Sequence, residues 1–420
     1  MTVAVGIEAI NAFGGIAALD VSILAQHRGL EMSRFENLLM KQRAVPLPFE
    51  DPVTLAVNAA KPLVDALSEE ERQRIELLII GTESGIDFGK SMGTYVHDHL
   101  KLSRNCRQFE LKQACYSGTA GLQMAVNFIL SQVSPGAKAL VIATDMSRFM
   151  VAEGGEALLQ DWSYAEPSGG SGAVAVLVSE TPHIFQIDVG ANGYYGYEVM
   201  DTCRPEPDSE AGDADLSLLS YLDCCENSFR EYQRRVEGVT YRETFQYLAF
   251  HTPFGGMVRG AHRTMMRKLA KAAPAEIDAD FARRVQPGLT YCARVGNIMG
   301  ATVLLSLAST ICNGDFSSPK RIGCFSYGSG CCSEFYSGVV SQAGAERLRK
   351  MDIAGQLDAR YLLSMEEYDS LLFSNNNLRF GMRNGTFNVA AFPQALAGMR
   401  GKQRLVLAEI REFHREYEWV

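Results

Sequence analysis

The segment Tyr116–Leu130 (YSGTAGLQMAVNFIL) constrains the fold of this 420-residue chain more than any other stretch. It has helical length and is apolar or small nearly all round, which predicts a central helix buried on every side. Such a helix needs apolar walls on both flanks, and strand-like runs are present to supply them. Ile75–Ile80 (IELLII), Ala139–Ala143 (ALVIA) and Ala173–Val178 (AVAVLV) read as buried strands, each bounded by Gly, Thr or Ser. The second half resumes the pattern, with a helical run near Gly300–Cys312 and a strand at Arg321–Phe325 (RIGCF) that leads into the turn SYGSG. Alternation of this kind means an α/β fold. Between the halves, Ile187–Val239 is rich in Tyr, acidic residues and turns. It reads as a loop-rich insertion near a site rather than a folded domain. No Pro/Ser-rich linker or long charge block divides the chain, so one compact body is expected.

With 40 basic against 49 acidic residues the net charge is −9, so the global electrostatic footprint of a nucleic-acid-binding protein is missing. The opening MTVAVGIEAINAFGG has no basic segment followed by an apolar run, and apolar stretches such as Ala301–Ile311 are too short to span a bilayer. The expectation is a cytoplasmic protein with neither membrane nor nucleic-acid partner. Its ten cysteines then read as reduced thiols, mostly small core residues, and no zinc-type spacing appears.

Four motifs are candidates for chemistry. In Phe109–Gly121 (FELKQACYSGTAG), Cys115 precedes the small-residue opening of the central helix. Free N–H groups and the positive end of the helix dipole favour a thiolate there. A packed thiol beside small residues is an equal reading. In Gly81–Ser91 (GTESGIDFGKS), Glu83 follows a buried strand at its carboxyl end, where open α/β sheets place ligands. On that motif alone, a Glu satisfied by turn N–H groups is the commoner case. In Phe250–Val258 (FHTPFGGMV), His251 ends an extended run before Pro253, and a hydrogen-bonded structural His is again the commoner case. Asn297 in YCARVGNIMG and Ser329 in FSYGSGCCSEF offer donors to carbonyl oxygens, each a weak signal alone.

Read in order, QACYSGTAG, GTESGIDFGKS, FHTPFGG, VGN and FSYGSG resemble the hydroxymethylglutaryl-CoA synthases, thiolase-fold condensing enzymes, over essentially the whole chain. The resemblance implies a five-layered α-β-α-β-α fold of two related halves. Residues 1–180 would carry Glu83 and Cys115. Residues 181–420 would carry the insertion, His251, Asn297 and Ser329. It also implies a homodimer, a catalytic triad of Cys115, Glu83 and His251, and acyl contacts by Asn297 and Ser329. The Ser329 and Cys115 N–H groups would form an oxyanion hole. Within the family, FENLLMKQRAVPLPFEDPVTLAVNAAKP and the segment from GANGYYGYEV to YLDCCE look like the polyketide β-branching branch, whose substrates ride on acyl carrier proteins in antibiotic-type pathways.

Gly256 and Gly260 stand where coenzyme-A-dependent members commonly carry Lys, and GNIMGA departs from their acceptor-site wording. The resemblance therefore implies donor and acceptor carrier proteins as partners and no metal or organic cofactor. Phosphopantetheine arms, or CoA, would deliver substrate. The alternatives are the mevalonate-pathway synthase, a fatty-acid β-ketoacyl synthase, and a non-catalytic carrier-binding scaffold. Arg259, Arg263 and Arg267 recur at i, i+4 and i+8, with Ala261, Met265 and Leu269 on the opposite face. This basic stripe, with Arg34, is the expected docking face for an acidic carrier protein.

Overall fold

The computed structural model describes residues 4–147, 165–206, 209–375, 380–398 and 401–420. Nine strands form the main sheet: β1 (Gly6–Phe13), β2 (Ile75–Gly81), β3 (Arg107–Leu111), β4 (Lys138–Met146), β5 (Ser171–Ser179), β6 (Phe185–Gly196), β7 (Tyr247–Phe250), β8 (Lys320–Gly328) and β9 (Cys332–Val340). Their spatial order is β7-β8-β9-β6-β1-β5-β4-β2-β3. The order contains one pattern twice. β1 runs antiparallel to β5, β5 antiparallel to β4, and β4 parallel to β2. Likewise β6 runs antiparallel to β9, β9 antiparallel to β8, and β8 parallel to β7. The two sets meet where β1 and β6 pair through only Gly6–Gln186 and Ile7–Phe185. The fold therefore consists of two related halves.

Five helices complete the layers: α1 (Pro52–Asp65), α2 (Ser117–Leu130), α3 (Ala214–Arg235), α4 (Gly255–Ala270) and α5 (Thr302–Asn313). α1 covers β1, β4 and β5 on one outer side, while α3 covers β6 and β9 on the other. α2 and α5 touch each other between the two halves of the sheet. Leu77, Ile79, Val141, Val174 and Val176 face this central layer, against Leu122, Val126, Val303 and Leu307. Alternate residues Leu78, Ile80, Leu140, Ile142 and Ala175 pack against α1 instead. Burial on both faces is why these strands read as unbroken apolar runs. The result is the layered α-β-α-β-α arrangement. Among the described residues no helix is long and apolar enough to cross a membrane.

Two expectations need correction. The central helix is not enclosed on every side. Met124 is 44% exposed and Asn127 is exposed as well. Gln123, Met124 and Asn127 share one stripe at helical spacing, where Gln123 donates to Glu334 of β9 (2.8 Å) while Met124 and Asn127 stay exposed. The second correction concerns Ile187–Val239, which is not a loop-rich insertion. It contains most of β6, short strands at Thr202–Glu206 and Ser209–Gly212, and the whole of α3. α3 is specified by Tyr221, Cys224, Cys225, Ser228, Phe229 and Tyr232, which recur every three or four residues and are buried. Asp213 caps it by accepting from the Leu216 N–H.

Candidate active site

β2 ends at Gly81, and the next three residues turn under Asp145 of β4. Asp145 Oδ1 accepts from Thr82 Oγ1 (3.0 Å), Glu83 N (2.9 Å), Ser84 N (3.0 Å) and Ser84 Oγ (2.9 Å). Complete burial pushes the Asp145 carboxyl up to about 6, against the opposing pull of Arg204 and these donors. The turn is thus fixed, and it carries Glu83 to the sheet's carboxyl edge.

Cys115 lies between β3 and α2. Ala114 before it takes a left-handed conformation (φ 44°), a strained state for a residue with a Cβ that redirects the chain just before the thiol. Tyr116 caps α2 and Ser117 begins it, so Cys115 stands at the helix's N-terminal mouth. The Cys115 thiol donates to Glu83 Oε1 at 3.6 Å. Arg204 Nε lies 3.6 Å from the other carboxylate oxygen, Oε2.

His251 follows β7 directly. Its N–H donates to Phe325 O (2.7 Å), and its carbonyl accepts from the Tyr221 hydroxyl (2.6 Å). The side chain is buried and pulled down to about 3 by desolvation, so the imidazole is neutral at neutral pH. Its Nδ1 has no hydrogen-bond partner among the described residues.

Asn297 is anchored by its own N–H to Ser168 O (2.7 Å). Its Oδ1 accepts from Met299 N (3.0 Å) and Thr302 Oγ1 (3.1 Å). Because a backbone N–H can only donate, this fixes the amide orientation and leaves the NH₂ as the group able to donate to a ligand. Ser329 lies in the turn between β8 and β9. Asp201 secures that turn by accepting from Gly330 N (2.9 Å) and the Tyr327 hydroxyl (2.5 Å).

Glu83, Cys115, His251, Asn297 and Ser329 all line a single cavity of about 590 Å³. Arg34 lines it as well. Arg259, Arg263 and Arg267 do not line it. They lie on the exposed face of α4, with Ala261 and Met265 buried on the other side. Arg259 is engaged with Asp278 at 3.1 Å. The start of α4 joins this stripe to the cavity, since Phe254 just before the helix and Met257 in its first turn are among the lining.

Asp145, Asp201 and Arg204 escaped sequence reasoning. Asp145 was legible in principle, because it stands at the carboxyl end of the strand beginning ALVIA. Asp201 and Arg204 fell in the stretch read as loop, where nothing local marks them.

Sequence comparison places residues 2–182 in the N-terminal and 261–382 in the C-terminal family model of hydroxymethylglutaryl-coenzyme A synthase. The polyketide biosynthesis 3-hydroxy-3-methylglutaryl-ACP synthase PksG of Bacillus subtilis is 67% identical over 418 residues, covering 100% of both chains. The hydroxymethylglutaryl-CoA synthase of Enterococcus faecalis is 31% identical over 370 residues, covering 87% of this chain and 91% of its own. Among solved structures, the curacin-pathway HMG synthase in complex with holo donor-ACP superposes with a TM-score of 0.96 at 68% identity, covering 99% of this chain and 100% of that one. Fold and matches define a condensing, acyl-transferring enzyme of thiolase-like architecture. The chain belongs to the hydroxymethylglutaryl-CoA synthase family.

Proposed function

We propose that this enzyme adds an acetyl-derived carboxymethyl branch to the β-keto carbon of a polyketide intermediate held on an acyl carrier protein. The observation that carries the chemistry is the contact of Glu83 with the Cys115 thiol inside a cavity that His251, Asn297 and Ser329 also line. The Cys115 thiolate attacks the donor thioester, and the donor carrier leaves as its thiolate, which takes a proton from solvent. Glu83 removes a methyl proton from acetyl-Cys115, and N–H donors of Cys115 and Ser329 stabilise the enolate oxygen. The enolate carbon attacks the acceptor's β-carbonyl, polarised by neutral His251 and the Asn297 NH₂. Glu83 returns its proton to the new alkoxide. Water then cleaves the Cys115 thioester, releasing a carboxylate on the branch and restoring the thiol. Side chains and the substrate's own thioester supply every step, with no metal or organic cofactor.

The preference for carrier-bound over free CoA substrates is supported by the full-length similarity to PksG, named an HMG-ACP synthase, and to the curacin HMG synthase crystallised with donor-ACP. Arg34 at the cavity, with Arg259, Arg263 and Arg267 beyond it, forms the proposed docking face for donor and acceptor carriers. Charge there chiefly raises the association rate. The chain is read as dividing near residue 180, as acting in the cytoplasm, and as serving an antibiotic-type polyketide pathway. A homodimer is supported by β3, whose outer edge is paired by no described strand and whose Phe109 and Leu111 remain half-buried. The test is incubation with acetyl-carrier and β-ketoacyl-carrier proteins, read by mass spectrometry of the acceptor. Gain of one acetic acid equivalent on the acceptor is expected. Turnover only with acetyl-CoA and acetoacetyl-CoA would reassign the enzyme to the mevalonate reaction.

A further inference from the structure

We propose that Arg204 is a positioning residue for Glu83, its guanidinium holding the carboxylate ionised and aimed at the Cys115 thiol. The inference rests on the reading of Glu83 as the base. Arg204 lies on the short strand Thr202–Glu206, and its side chain is only 13% exposed. Its Nε is 3.6 Å from Glu83 Oε2, while Nη1 donates to Ser84 Oγ at 3.3 Å. The remaining Glu83 oxygen faces Cys115. Arg204 therefore grips the base and the turn that carries it from one side, leaving the reactive edge toward the thiol.

The charge balance points the same way. Asp145 stands fully buried directly beneath this turn and accepts from the Glu83 N–H, so the turn that carries Glu83 already holds one carboxylate out of reach of water. Among the described residues, the groups around Glu83 include Cys115 from the mouth of α2, Asp145 from β4 and Arg204 from the short strand, with neutral His251, Arg34 and Asp215 elsewhere on the cavity wall. Among the described residues, Arg204 brings a cationic group within 4 Å of the Glu83 carboxylate, and the same charge acts on Asp145. An opposite charge at that range lowers a carboxyl pKa by about 1–3 units. A planar fork also spans Glu83 and Ser84 together, which a lysine ammonium cannot do in the same geometry.

The test is deuterium exchange into the methyl group of preformed acetyl-Cys115, followed by mass spectrometry across a pH series. Exchange by the native enzyme should rise through an acid limb as Glu83 ionises. Arg204→Gln should still be acetylated, with its acid limb displaced upward by about one pH unit and exchange below the limb about tenfold slower. Arg204→Lys should keep the native limb and lose only plateau rate. An unmoved limb in Arg204→Gln, or a limb displaced equally in Arg204→Lys, overturns the proposal. If Arg204→Gln does not fold, Arg204→Ala supplemented with guanidinium replaces it. Rescue by guanidinium but not by ammonium is expected, and absence of rescue counts against the proposal. Glu83→Gln separates the two layers of the inference, because exchange that survives in it removes Glu83 as the base, whatever the Arg204 variants show.

Discussion

At the residue scale, the site joins a carboxylate, a thiol and an imidazole whose charge states are set by different surroundings. His251 is the clearest case. Among the described residues it has no acidic partner, and burial keeps it neutral, which suits a group that polarises a carbonyl by donating a hydrogen bond. The folded imidazole titrates at about 3, well below the unfolded value of about 6.5. The unfolded chain therefore binds the extra proton first as pH falls, so neutral His251 contributes stability that is complete above the unfolded value and is lost toward pH 3. Replacement by Gln, which does not titrate, removes this dependence. Between pH 7 and pH 5 the stability of His251→Gln should gain about 2 kcal/mol relative to the native enzyme, measured by urea unfolding. A difference independent of pH would mean that the imidazole titrates in the folded state as it does in the unfolded chain, and a loss by His251→Gln toward pH 5 would mean that the folded imidazole is charged.

At the scale of elements, the site depends on how closely α2 approaches the segment leading into α5. A Cβ at Gly118 would collide with the Gly300 carbonyl, and one at Gly300 would collide with the Ser117 hydroxyl. Gly118→Ala should therefore force the two segments apart and cost about 1–3 kcal/mol in thermal or urea unfolding. Acetylation of Cys115 should slow with it, since the thiol stands at the mouth of the displaced helix. Normal stability together with normal acetylation would show that this contact can relax freely. The elements most legible in the sequence were those with strong periodicity or unbroken apolar runs. β2 and β5 were read nearly to their ends because burial on both faces leaves few polar interruptions, whereas β4 was read only as Ala139–Ala143 because the buried Thr144 and Asp145 broke its apolar run. α3 was missed because the turn-rich residues before it set the reading of the whole stretch, although Tyr221, Cys224, Cys225, Phe229 and Tyr232 repeat at helical spacing. The five cavity residues were found from motifs read together. Asp145, Asp201 and Arg204 were not, because their partners lie far away in the chain and only folding brings them under the two turns they secure.

At the scale of the whole molecule, two related halves place the mouth of α2, the end of β7 and the β8–β9 turn around one cavity. The sheet ends on β3, where Phe109 packs partly against the central core, so its replacement tests association between copies when circular dichroism shows the fold kept. Phe109→Arg should shift the protein from dimer to monomer in analytical ultracentrifugation. A native enzyme already monomeric at micromolar concentration would contradict the proposed dimer. The central claim is that Cys115 is acylated from a carrier protein that docks on the basic face leading to the cavity. Intact-protein mass spectrometry after mixing with acetylated donor carrier, beside a parallel reaction with acetyl-CoA, tests it most directly. A single acetyl adduct is expected that maps to Cys115 and is absent in Cys115→Ser. It should form faster from the carrier than from CoA and slow in Arg263→Glu and Arg267→Glu only when the carrier is the donor. An adduct on another cysteine, or carrier-dependent rates unchanged in both arginine variants at low salt, would contradict it.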